Sequence, residues 1–193
     1  QFWRQDELDE LLADLQPKTT GDTPAETDRA EELRQKWGVV SGQMWQLGEH
    51  RLVCGDCTDA ATVARVMGGE RAAFCMTDPP YGANYTGGTK KWEMLKGDRT
   101  ATLYAPSLAL VHEYTEPKAA LYLFFSDEYL ATIDGCLRQA GYDVRAQLIW
   151  NKNHAQFGAM GSQYKQKHEP LFYAFKHGES PYWFGPNNEV TVW

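Results

Sequence analysis

The chain has no apolar run that could cross a membrane as a helix. Its longest, AALYLFF at 119–125, falls far short of the roughly 20 residues a helical span needs. It also shows no secretory signal pattern, so a cytoplasmic setting, in a prokaryote or phage, is expected. Cysteine is scarce: Cys54, Cys57, Cys75 and Cys136 are the only four. Cys54 and Cys57 form a C-x-x-C beside His50, but no second C-x-x-C or H-x-H follows to complete a zinc site. Asp56 in the spacer opposes thiolate formation and argues against a redox pair. Free thiols in a reducing compartment fit better. Positive charge is short as well. The formal net charge of −7 argues at face value against nucleic acid. The deficit is uneven, however. Residues 1–37 carry a net −5, which leaves −2 for the rest, and local basic clusters in that part can still meet phosphate.

Aromatics are plentiful, with ten Tyr, eight Phe and seven Trp. The length allows one domain with an arm. Residues 1–40 read as an acidic helical arm or linker. Leu8, Leu11, Leu12 and Leu15 recur at helical spacing, and PKTTGDTP from Pro17 breaks that helix. Thr23, Pro24 and Glu26 then fit a cap, a first-turn proline and a capping-box acid, opening a second helix to about Lys36.

From Ser41 the pattern changes. QMWQLGEHRLVCGD predicts two short strands turned at Gly48-Glu49. Thr58 or Asp59 caps a helix through Met67, ended by Gly68-Gly69. AAFCMT is a strand, 82–100 a loop, and Pro106 opens a helix to about Tyr114. KAALYLFF is a second apolar strand. Ser126 caps a helix with Leu130, Ile133, Leu137 and Ala140 on one face, closed by Gly141. DVRAQLIW and EPLFYAF are two more strands. Strands apolar on both faces, alternating with helices, predict a doubly wound α/β sheet. In such sheets chemistry gathers at the carboxyl ends of the strands, where Asp56, Asp78 and Ser126 are expected.

The stretch FCMTDPPYGANY at 74–85 ends one of these strands in an acid, two prolines and a tyrosine. Proline fixes its own φ and pushes the preceding residue away from helix, so Asp78-Pro79-Pro80 is stiff. Neither proline has an N–H. The stretch therefore presents acceptors, the Asp78 carboxylate and a proline carbonyl, held in register for the two donors of an –NH2 group. Tyr81 offers a face on which a planar ring can stack. An aromatic amine is a poor nucleophile because its lone pair is delocalised. Acceptors that favour a tetrahedral nitrogen would free that pair in the transition state.

T-D-P-P-Y-G at 77–82 resembles the catalytic motif of the amino DNA methyltransferases, which methylate adenine N6 or cytosine N4 with S-adenosyl-L-methionine. HRLVCGDCTD before it, and LYLFFSD, LIWNK and HEPLFYAFKHG after it, are similar in order to the permuted β class. The resemblance covers 41–193, read as the catalytic-motif half of the domain. It implies a partial Rossmann-like methyltransferase sheet, mostly parallel, with an antiparallel strand near the C-terminus. It also implies action on double-stranded DNA by extruding the target base, often within a restriction-modification system. Asp78, Pro79, Pro80 and Tyr81 take the catalytic role, and adenine is favoured because members with Asp at this position mostly act on adenine. The chain has no Pro-Cys pair of the kind used by the cytosine-C5 class.

One expected motif is missing. The family's glycine-rich cofactor turn, F-x-G-x-G, is not found; FGAMG at 157–161 has the wrong spacing. The chain starts at Gln1 and stops on EVTVW, a strand-like run with no closing turn. A C-terminal segment or a second chain is therefore expected to complete the cofactor site, and residues 1–193 alone are expected to bind the cofactor weakly or not at all. Asp56 in the GDC turn either faces the cofactor with Asp78 or caps a turn. Lys90, Lys91, Lys96 and Arg99 on the predicted loop either contact DNA phosphate or form solvated surface. Lys152, Lys165, Lys167 and Lys176 make a second such group, and His168-Glu169 opens the last strand. Two other classes stay open: a non-catalytic module that binds DNA or a partner, and a methyltransferase of RNA or protein.

Overall fold

The structure is a computed structural model describing residues 29–81, 101–154 and 163–193. The predicted helix around Leu8–Leu15, the loop 82–100 and FGAMG lie outside the described residues. The chain divides into two compact units, 1–39 and 40–193. In the first, α1 (Ala30–Lys36) carries Glu31 and Glu32 in its first turn and Arg34 and Lys36 in its last, the order that suits the helix dipole. Arg34 pairs with Glu31 at 2.7 Å.

The second unit opens with a hairpin of β1 (Met44–Leu47) and β2 (His50–Val53), paired Leu47 to His50. Gly48 in the turn has φ +62°, a conformation glycine takes without strain. Helix α2 (Ala60–Met67) is capped as the sequence predicts. Asp59 accepts from the Ala61 and Thr62 amides, and Gly68 ends the helix in the left-handed region. Arg51 from β2 donates to the Met67 carbonyl at 3.0 Å and pairs with Glu70, fixing the hairpin to the end of α2.

The main sheet holds β3 (Ala72–Thr77), β4 (Thr115–Phe124), β5 (Tyr142–Asn151) and β6 (His168–Lys176) in the order β3-β4-β6-β5. β3 and β4 are parallel, whereas β6 is antiparallel to both β4 and β5. Three strands therefore run one way and the last runs against them, the mixed sheet expected. A short parallel bridge, Ile149 to Val192, adds the end of the EVTVW run to β5.

Helices α3 (Tyr104–Tyr114) and α4 (Leu130–Gln139) supply the core with Tyr104, Leu108, Ile133 and Leu137. These pack with Leu121, Leu123, Phe125 and Phe172 from the sheet. Ile133 and Leu137 lie four apart on one face of α4, while Arg138 and Asp134 pair on its exposed side at 2.8 Å. Three boundaries differ from expectation. α3 begins at Tyr104, after a 3₁₀ turn, two residues before Pro106. A first-turn proline lacks only an N–H that would be unpaired in any case. β4 starts at Thr115 and includes Pro117. Pairing with β3 jumps from Thr115 to Ala120, so the proline sits where no ladder bond is needed. Ser126 precedes a 3₁₀ turn, Asp127–Tyr129, rather than α4 itself, and its side chain caps nothing.

Candidate active site

β3 is a short apolar strand whose carboxyl end is set by pairing of Thr77 with Leu123. Asp78 follows directly and is exposed; Pro79, Pro80 and Tyr81 are half-buried. The tyrosine hydroxyl is buried and makes no hydrogen bond of good geometry among the described residues. Burial drives the phenol upward from its ordinary value, and the close, hydrogen-bonding approach of Asp78, then its charge and that of Glu169, add to the push. The Asp78 carboxylate is thus near the hydroxyl without accepting a well-formed bond from it.

A cavity of about 430 Å³ adjoins this stretch. Asp78, Pro79 and Pro80 line it together with Val63 and Met67 of α2 and Leu108 of α3. Its walls are mainly apolar, and its size is that of a small-molecule site. Cys57 also lines it, which brings the GDC turn to the same cavity as Asp78. Cys75 of β3 lines it too, and burial pushes its thiol up to about 11, which disfavours the reactive thiolate.

Asp56 is placed differently from expectation. It follows β2, which belongs to the separate two-stranded sheet, so it is not at a carboxyl end of the main sheet. Two four-residue strands with an exposed turn pair with each other and leave the large sheet to the longer apolar runs. The Asp56 carboxylate accepts from the Thr58 amide at 2.9 Å and the Thr58 hydroxyl at 2.6 Å, an Asx-type turn. Lys90, Lys91, Lys96 and Arg99 lie outside the described residues.

The second lysine group does not form one surface. Lys176 is buried and donates to the Thr115 carbonyl at 2.7 Å. Burial, aided by Arg71, pushes its pKa down. It holds β6 to the start of β4 and is not placed for phosphate. Lys152 is bonded to Glu169 in a pair with each side chain only 18% exposed. Lys165 and Lys167 are exposed.

The sequence reading gave Glu169 no chemical role, yet it stands at this same end of the sheet. β6 runs backwards, so its first residues meet the last residues of β4 and β5. Glu169 pairs with Trp150 and His168 with Asn151. Ser126 sits here too, beside Asp127, which accepts from Gln166 at 3.1 Å. The available signal was the hairpin register: an acid at the start of β6 must face whatever closes β5.

The α/β sheet, with an acid-proline-proline-tyrosine stretch at a strand's carboxyl end beside an apolar cavity, has a methyltransferase-type fold. Residues 72–190 match the DNA methylase family of N6 and N4 methyltransferases, and the chain belongs to that family. Among solved structures it is similar to M1.HpyAVI, with 19% identity and a TM-score of 0.51, covering 69% of this chain and 63% of that one. A crystal structure of an M1.HpyAVI–SAM complex gives 19% identity and a TM-score of 0.50, covering 68% and 59%. At this identity the likeness establishes the fold, and the chain spans about three fifths of the length of these relatives. No curated protein sequence gives a significant match.

Proposed function

We propose that this chain is the catalytic-motif half of a DNA methyltransferase that uses S-adenosyl-L-methionine to methylate an exocyclic amine, adenine N6 in preference to cytosine N4. The observation that carries this reading is the position of Asp78-Pro79-Pro80-Tyr81. The stretch closes the first parallel strand, within the segment matched by the DNA methylase family.

The residues present suit such a cofactor. An exposed carboxylate beside an apolar cavity of about 430 Å³ complements a sulfonium cation carried on an aromatic nucleoside. When bound, the cofactor supplies an electrophilic methyl group. Asp78, and Asp56 through the GDC turn, would face it. Asp78 and the Pro79 carbonyl accept the two amine hydrogens, and Pro80 keeps the turn rigid. Tyr81 stacks on the extruded base. With the amine so held, its lone pair would be freed for the methyl group and its proton would pass to solvent. No protein side chain forms a covalent bond.

A further polypeptide segment, continuing this chain or on a second one, completes the cofactor site. In support, β3 has no strand on its outer side among the described residues, and Phe74 and Met76 stand 51% and 53% exposed. Strands of a parallel sheet are ordinarily covered on both faces. Lys90, Lys91, Lys96 and Arg99 contact DNA phosphates, and a DNA substrate agrees with a cytoplasmic setting.

Nucleoside analysis tests the reading. The assembled enzyme is incubated with duplex DNA, RNA or protein and methyl-labelled cofactor, and the products are digested. N6-methyladenine from duplex DNA is expected. Label only in RNA, in protein or as 5-methylcytosine would overturn it.

A further inference from the structure

Lys152 and Glu169 close the β5–β6 hairpin at the carboxyl edge of the sheet. The Lys152 ammonium bonds the Glu169 carboxylate, and both side chains are largely withdrawn from water. A withdrawn ion pair is a poor device for stability, because desolvation offsets its attraction. This one is also held in a fixed orientation. The Lys152 amide donates to the Lys167 carbonyl at 2.8 Å, and its ammonium lies 5.4 Å from the centre of the Trp150 ring. An ammonium has three donors. Among the described residues, Glu169 is the only hydrogen-bond partner recorded for this one.

The pair faces the same edge as the amine cradle. Leu123, the β4 partner of Thr77, pairs on its other side with Phe172 of β6, three residues from Glu169. β3 and β6 are two strand spacings apart, about 10 Å, a span that an aspartate side chain and a long lysine side chain can close towards two neighbouring atoms of one base edge. The buried Tyr81 hydroxyl feels the charges of both Asp78 and Glu169, which puts both carboxylates in its electrostatic neighbourhood.

Adenine and cytosine share one edge: an amine beside a ring nitrogen that carries a lone pair (N6 and N1, or N4 and N3). Guanine and thymine present the reverse order, a carbonyl beside a ring N–H. An acceptor next to a donor reads the first pattern and rejects the second. Asp78 is the acceptor. We propose that Lys152, clamped by Glu169, is the donor: it hydrogen-bonds the ring nitrogen beside the target amine and sets specificity for amine-bearing bases. The proposal rests on the base-methylating function above. Glu169 acts through Lys152 and is a positioning residue.

The test is a cycle between protein and base. The assembled enzyme and its Lys152→Met variant are each given duplexes with adenine or 1-deazaadenine at the target, the latter having C–H in place of N1. Wild type is expected to lose about 10- to 100-fold in kcat/KM on the deaza duplex, the range for one hydrogen bond to a charged group. Lys152→Met should lose a similar factor on adenine and nothing more on deazaadenine. Lys152→Arg, which keeps the charge and the Glu169 pair, should recover part of the loss. Glu169→Gln frees the clamp and should shrink the deaza penalty in a protein whose melting temperature serves as the folding control. A full deaza penalty in Lys152→Met or Glu169→Gln overturns the proposal. So does a wild type that methylates both duplexes alike, although that result leaves amine methylation standing. A wild type that methylates neither duplex removes both.

Discussion

Phe125 stacks on Phe172 across the β4–β6 boundary, with ring centroids 4.3 Å apart and planes 26° from parallel. Phe125 is fully buried and its amide donates to the Pro170 carbonyl at 3.2 Å. The next residue is Ser126, so this contact anchors the end of the sheet where the acid and lysine groups gather. Phe125→Ala removes a large buried ring and should lower stability by about 3–5 kcal/mol. Phe125→Leu should cost less. Urea unfolding of the two variants checks this, and equal midpoints for Phe125→Ala and wild type would show that the stack carries no stability.

Tyr81 carries a buried hydroxyl that makes no hydrogen bond of good geometry among the described residues. Phenylalanine at this position discards an unsatisfied polar group and keeps the ring. Tyr81→Phe is therefore expected to be as stable as wild type or slightly more so, with methyl transfer little changed. Tyr81→Ala removes a stacking surface worth roughly 1–3 kcal/mol. It should weaken retention of the extruded base, read by a fluorescent base analogue at the target. Comparable losses in both variants would mean that the hydroxyl, not the ring, does the work.

His177 and Asp143 pair at 3.0 Å on the surface. The Asp143 hydrogen bond holds the imidazole above its ordinary value of 6.5, and the same bond holds the Asp143 carboxyl below its ordinary 3.8. The stabilisation due to His177 is full below its unfolded value and fades as pH rises through the raised folded value. That due to Asp143 is full above its unfolded value and fades as pH falls through the lowered one. Between those limits the pair is intact. Both groups are exposed, so the effect should appear in titration more than in stability. Histidine NMR shifts should give His177 a midpoint above 6.5 that falls towards it in Asp143→Asn; an unmoved midpoint would count against the pair.

The strands and helices of 41–193 were legible because their signals are local. AALYLF and PLFYAF are apolar on both faces, Asp59 and Gly68 bracket α2, and Ile133 and Leu137 mark one side of α4. The cradle was legible for the same reason, since two prolines after an acid restrict the backbone wherever they stand. What escaped depends on which strand lies beside which. β2 looks like a strand of the main sheet until its partner is known, so Asp56 was expected at an edge it does not occupy. Lys152 and Lys176 look like surface lysines in a list of residues. Only the antiparallel return of β6 brings one to Glu169 and the other to the Thr115 carbonyl.

The central claim is that Asp78 holds the reacting amine. Single-turnover methylation of duplex DNA by the assembled enzyme and its Asp78→Ala variant tests it most directly. A hydrogen bond to a charged group is worth roughly 1.5–3 kcal/mol, and more if it tightens in the transition state, so the rate should fall by about a hundredfold or more. DNA affinity should hardly change, since phosphate contacts dominate it. Methyl transfer by Asp78→Ala at near the wild-type rate would contradict the account and leave Asp78-Pro79-Pro80-Tyr81 as no more than a stiff turn after a strand.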